Sequence, residues 1–125
     1  MASLLTNTGI AGVISKLNAN TPPRYVGWGT GGSVAPTAAD TSLETEAAET
    51  RIQGANTVVT GDVADDTYQV VATLESLSGQ TISEVGLFTA ETSGDMYIRG
   101  NFTGIPLEAE DAIQFTIKLK LGQPA

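Results

Sequence analysis

Along the last part of the chain, Ile113, Phe115, Ile117, Leu119 and Leu121 alternate with Gln114, Thr116, Lys118 and Lys120. Successive side chains of a strand point to opposite faces, so this stretch predicts a strand with one dry face. Its two lysines suit a sheet edge, where charge discourages unwanted pairing. A second run, Tyr68, Val70, Ala72 and Leu74 against Gln69, Thr73 and Glu75, predicts another strand, with Val71 out of phase. Ser78-Gly79 separates it from Ile82–Phe88, a spacing that predicts a β-hairpin. After a turn at Ser93-Gly94-Asp95, Met96, Ile98 and Phe102 share one face and Tyr97, Arg99 and Asn101 the other. Gly100 leaves a gap on the apolar side.

The first half is less regular. Between Ser3 and Asn18, Ile10, Val13, Ile14 and Leu17 fall at i, i+3, i+4 and i+7, one apolar stripe of a short amphipathic helix. Gly9 and Gly12 cost that helix about 1 kcal/mol each relative to alanine, so it needs a docking surface. Asn20-Thr21-Pro22-Pro23 ends it. Arg24–Thr30 has the aromatic and β-branched content of a strand, interrupted by glycines. Asp40-Thr41-Ser42-Leu43-Glu44 predicts one or two helical turns, with Asp40 or Thr41 as the cap and Glu44 reaching back. Ile52, Val58 and Val59 mark a less regular strand that bends near Gly54. The expected fold is mainly β: an antiparallel β-sandwich or barrel-like meander of about six strands with one N-terminal amphipathic helix. It forms a single domain over 1–125, the helix within 1–20 and the sandwich over 24–121.

Composition removes whole classes of chemistry. The 125 residues include neither cysteine nor histidine. Disulfides, thiolate or histidine zinc sites, Ser-His-Asp triads and Cys-His pairs are therefore excluded. Fourteen acidic residues against six basic ones, a net charge of -8, oppose non-specific nucleic-acid binding, which depends on lysine and arginine displacing counterions. No stretch approaches the length of a membrane span and the N-terminus has no basic leader, so an untargeted protein made in a cytoplasm, without a membrane partner, is expected.

Gly27-Trp28-Gly29-Thr30-Gly31-Gly32 matches the G-x-G-x-x-G dinucleotide pattern, but Pro36 falls where the phosphate-binding helix has to run. A glycine-rich turn beside a packed tryptophan is the better reading, and no cofactor is expected. Asp62, Asp65 and Asp66, and Glu108, Glu110 and Asp111, lack the spacing of a calcium loop. They read as solvated carboxylates, the alternative being an ion shared between subunits. With six basic residues in all, Arg24, Arg51 and Arg99 are candidate interface residues, surface ion pairs being the alternative. Tyr97 joins this set. Tyr25 and Trp28 are core or subunit contacts, a ligand platform being the alternative.

The order of features carries a resemblance. Leu5-Thr6-Asn7-Thr8-Gly9-Ile10 enters the helix, Tyr25–Gly31 follows, then Ala39–Glu46, and later Ile82-Ser83-Glu84-Val85-Gly86-Leu87-Phe88. Asp66–Val70 and Phe102–Ile105 fall where hairpin strands are placed. This series resembles small tailed-bacteriophage virion proteins over nearly the whole chain. The resemblance implies a non-enzymatic virion protein, either a capsid decoration (cement) protein or a module of the collar-proximal region of tail fibres. For the first it implies a symmetric oligomer, a trimer favoured, on the outer capsid surface with the major capsid protein as partner. For the second the partners are tail proteins. A chain ending at Ala125 without a shaft or receptor-binding tip favours decoration. Within the oligomer, the helix and Tyr25–Thr30 are expected to pack between subunits, with polar loops and chain ends on the shell.

Overall fold

In the computed structural model, whose described residues are 2–122, seven strands form two antiparallel sheets with one helix docked against them. The helix α1 (Asn7–Ala19) starts where Thr6 accepts a hydrogen bond from the Gly9 N–H, satisfying one of the donors a helix start leaves open. Ile10 and Ile14 are buried and Leu17 is half-buried, as the stripe predicts, but Val13 is exposed. Met1, at the edge of the predicted helical segment, lies outside the described residues.

The first sheet has the order β2-β1-β5-β6, built from β1 (Tyr25–Gly29), β2 (Ile52–Gln53), β5 (Gln80–Phe88) and β6 (Met96–Leu107). The second has the order β3-β4-β7, from β3 (Ala55–Val59), β4 (Thr67–Glu75) and β7 (Ala112–Lys120). Both sheets end in free edges, so the architecture is a sandwich and not the barrel-like alternative. Trp28, Tyr68, Val70, Leu74, Ile82 and Leu87 form the core between them, with the helix contributing Ile14.

Three expectations change. The stretch around Gly54 is two strands, because the chain bends there and crosses from one sheet to the other. Gly54 is buried, its N–H bonds to the Arg24 carbonyl, and a Cβ would run into the Val70 side chain. The expected hairpin around Ser78-Gly79 is instead a corner: β4 belongs to one sheet and β5 to the other. Ser76 fixes that corner through backbone bonds with Asp111 and Glu110, and its hydroxyl donates to the Ser78 carbonyl. Finally, Asp40–Glu44 is not helical. Asp40 accepts from the N–H and hydroxyl of Thr37, behind it in the chain, while the N–H groups of Glu44 and Thr45 go to Glu84. A long-range acceptor has taken the donors a helix would have used locally.

The strand at 112–120 is an edge strand, as its lysines predict, and pairs with β4 along its full length. Among the described residues, no helix is long and apolar enough to cross a membrane.

Candidate functional site

β5 and β6 are out of simple register between Ile82 and Glu84, where they pair with Ile105 and Asn101. Such irregularities re-aim side chains. Ile82 and Leu107 on one side of it, and Val85, Leu87, Ile98 and Phe102 on the other, all pack on the core. Glu84, Arg99 and Asn101 are thereby left on the opposite face of the sheet. That face is covered by the segment 30–51, which contains no helix and no strand beyond a single bridge from Glu46 to Gly29, and which leads into β2.

Glu84 is fully buried. Its carboxylate accepts from the N–H groups of Gly31 at 2.8 Å, Glu44 at 2.9 Å and Thr45 at 2.8 Å, and from Arg99 Nε at 3.0 Å. Burial pushes this carboxyl up, but the Thr45 and Glu44 N–H groups, Arg99 and the Gly31 N–H outweigh it and hold it below its usual value. The Arg99 guanidinium, whose side chain is 3% exposed, also donates to Asp40 and to the carbonyls of Val34 and Gly31. Ser83 beside it accepts from the Gly32 N–H. The first turn of the covering segment is thus fastened by a strand carboxylate and a strand guanidinium together.

Two further anchors hold the rest. Arg51 makes a bidentate pair with Glu46, donates to the carbonyls of Ala90 and Ser93 in the β5–β6 turn, and lies 3.5 Å above the Phe88 ring. Glu49 accepts from Trp28 Nε1 at 3.2 Å, from the Leu77 N–H and from Gln80. Backbone bonds from Thr30 to Thr45 and from Ala47 to Trp28 complete the seam. On the second sheet, buried Asp66 organises its own loop by accepting from the N–H groups of Gly61, Asp62 and Val63 and from the Thr67 hydroxyl. Against the effect of burial, those bonds lower its pKa to about 2.

These contacts account for the glycine motif. The N–H groups of Gly31 and Gly32 are taken by Glu84 and Ser83, so the chain's own carboxylate stands against the loop where the dinucleotide pattern holds a phosphate. A Cβ on Gly29 would run into the Thr45 carbonyl oxygen. Among the described residues, no group of three or more acidic side chains is placed to hold a metal ion.

The six candidate interface residues are scattered by the fold. Trp28 is buried, its ring edge-on to Phe115 at 6.4 Å. Arg99 and Arg51 are committed to the anchors above. Half-buried Tyr25 donates to Gln53 on the neighbouring strand β2. Half-buried Arg24 lies near Tyr68, whose hydroxyl donates to the Pro23 carbonyl; burial raises that phenol to about 12 against the opposing charge of Arg24. Tyr97 alone among the six is exposed, beside Asp40 and Arg99 at a cavity of ≈ 150 Å³. The side chains of Val26 and Trp28 are used inside the chain's own core. Sequence reasoning overlooked Glu84, although a lone acid inside the apolar run Ile82–Phe88 marks a buried carboxylate with a fixed set of partners. No family model matches the chain, and no curated protein matches it.

Proposed function

We propose that the protein is a non-enzymatic structural component of a bacteriophage virion, a capsid decoration protein that binds the outer shell as a symmetric oligomer and stabilises it. The observation that carries this reading is the convergence of the stretches behind the resemblance. Tyr25–Gly31, Ala39–Glu46 and Ile82–Phe88 are far apart in sequence, yet β1 pairs with β5, and the Glu84 carboxylate joins β5 to Gly31, Glu44 and Thr45. The motif is one physical unit whose parts are needed together.

The chemistry of that unit supports a holding role. Its buried charges face each other and the backbone, which makes a stiff loop platform, and stiff surfaces lose little freedom on association. A shell protein gains avidity when several copies engage one symmetric site, so modest contacts per subunit suffice. The -8 charge suits basic patches on a capsid exterior.

The test is quantification of the protein in separated phage heads and tails, followed by binding of purified protein to bare heads. Decoration predicts many copies on heads and a gain in their resistance to heat or low salt. Copurification with tails alone replaces decoration with the tail-fibre-base reading, and absence from both removes the virion reading.

A further inference from the structure

We propose that the protein pairs with a second copy of itself through the free side of β7, joining two β3-β4-β7 sheets into one six-stranded sheet across a twofold axis. The proposal builds on the self-association in the preceding section but stands on β7 alone; location on a virion is decided separately by the head and tail measurement.

The four sheet edges differ. β2 has two residues, and β3 has five and is flanked by the helix, with Asn56 bonded to Asn18. β6 carries Pro106 and two register irregularities, features that spoil an edge for pairing. β7 runs for nine residues in unbroken register with β4, has neither proline nor glycine, and among the described residues nothing pairs with its other side; the lysines that guard this edge, Lys118 and Lys120, sit at one end only and so oppose a parallel partner but not an antiparallel one. Its inward row is unfinished: Ile113, Phe115 and Leu119 pack on the core yet remain only half-buried, and Phe102 reaches Phe115 from β6 at 6.1 Å between ring centroids. A row of core side chains continued by a second copy covers this margin.

Charge selects the partner and its direction. The turn entering β7 carries Glu108, Glu110 and Asp111, while its far end carries Lys118 and Lys120. Antiparallel pairing of β7 with itself over its whole length centres on Thr116. It sets Lys118 opposite Gln114 of the second copy and Lys120 opposite Ala112, beside the acidic turn. A parallel arrangement sets like charges together. The antiparallel register also keeps even positions outside and odd positions inside on both copies, so both core faces stay on one side. Lys120 is bonded to Asp62, but both side chains are exposed and free to turn toward a new partner. Such an isologous contact closes in twos, and thus makes a dimer, not the trimer the resemblance implies.

The absence of cysteine makes a clean test. Residues facing each other across an antiparallel pair have Cα atoms about 4.5–5.5 Å apart, within disulfide reach. Thr116→Cys should therefore cross-link to a dimer under mild oxidation much faster than Thr73→Cys on the exposed face of β4. In sedimentation equilibrium the unaltered protein should be a dimer. Gln114→Lys, which places two lysines opposite each other at two symmetric positions, should weaken it by about tenfold, and Gln114→Glu should tighten it. Gln114 is exposed, so neither change disturbs the fold. A monomer at all concentrations, a larger oligomer indifferent to Gln114→Lys, or equal cross-linking of the two cysteine variants overturns the proposal.

Discussion

The two sheets solve opposite problems. The β3-β4-β7 sheet has one face on the core and one toward solvent, so β4 and β7 alternate between buried or half-buried and more open positions almost without exception. The β2-β1-β5-β6 sheet is covered on both faces in its middle: by the core on one side and by the segment 30–51 on the other. Four of the five residues of β1, and the last three of β5, are buried in succession. What differs is the second cover. It is a mostly polar segment that buries Leu43 beside Gly86 and is held down by Glu84, Arg99, Arg51 and Glu49. A fully satisfied buried carboxylate can do this because each of its oxygens meets two donors; leaving those donors without a partner carries a heavy penalty.

The strongest way to break the contrast is to remove that carboxylate. Glu84→Ala leaves buried Arg99 with Asp40 and the Gly31 and Val34 carbonyls but without its buried carboxylate, and orphans the N–H groups of Gly31, Glu44 and Thr45. Urea unfolding should show a loss of about 3–5 kcal/mol, the range for one partner removed from a buried pair. A loss below about 1 kcal/mol would mean that the covering segment is held elsewhere.

A steric probe comes next. Gly29→Ala drives a methyl into the Thr45 carbonyl oxygen, and overpacking of this kind costs about 1–3 kcal/mol. On the open sheet the equivalent change should pass unnoticed: Thr73→Ala, on the exposed face of β4, should lie within about 0.5 kcal/mol of the unaltered protein in the same assay.

Acid sharpens the comparison further, since each sheet has one buried carboxylate of lowered pKa, Glu84 and Asp66. A carboxyl whose pKa is lower in the folded state contributes stability that is fully present above its unfolded value, near 4, and is lost as pH falls through the folded one. Stability should therefore decline between about pH 4 and pH 2. Asp66→Asn should flatten that decline, since it removes the group whose pKa falls to about 2 on folding, and leave the contribution of Glu84 in place. Identical pH profiles for the variant and the unaltered protein would remove Asp66 from the account.

The contrast also sets how much could be read beforehand. The strand 113–121 and its edge position, the run from Tyr68 to Leu74 and the facing of Ile98 and Phe102 were legible because apolar and polar residues alternate along each strand, and the turn at Ser93-Gly94-Asp95 because glycine marks it. Asp40–Glu44 was misread as helical because its local capping signals are real, but Glu84, some forty residues later, takes the donors. The corner at Ser78-Gly79 looked like a hairpin because spacing alone does not say whether two strands share a sheet. Arg51 and Arg99, expected at an interface with surface ion pairs as the alternative, are instead held by the carboxylates of Glu46, Asp40 and Glu84. Those partners turned out to lie within the chain.

Sequence by itself determined the class of the protein: an N-terminal helix with mainly antiparallel strands, no thiol or imidazole chemistry, and a net charge of -8. These follow from periodicity and composition, which act residue by residue. Only the tertiary structure decided that Gly54 passes the chain between sheets, that Glu84 and Arg99 bind the segment 30–51 to the outer face of β5 and β6, and that among the described residues β7 keeps a long, uninterrupted free side. Each of these depends on which distant groups meet, and a buried charge or an open edge is defined by its neighbours in space.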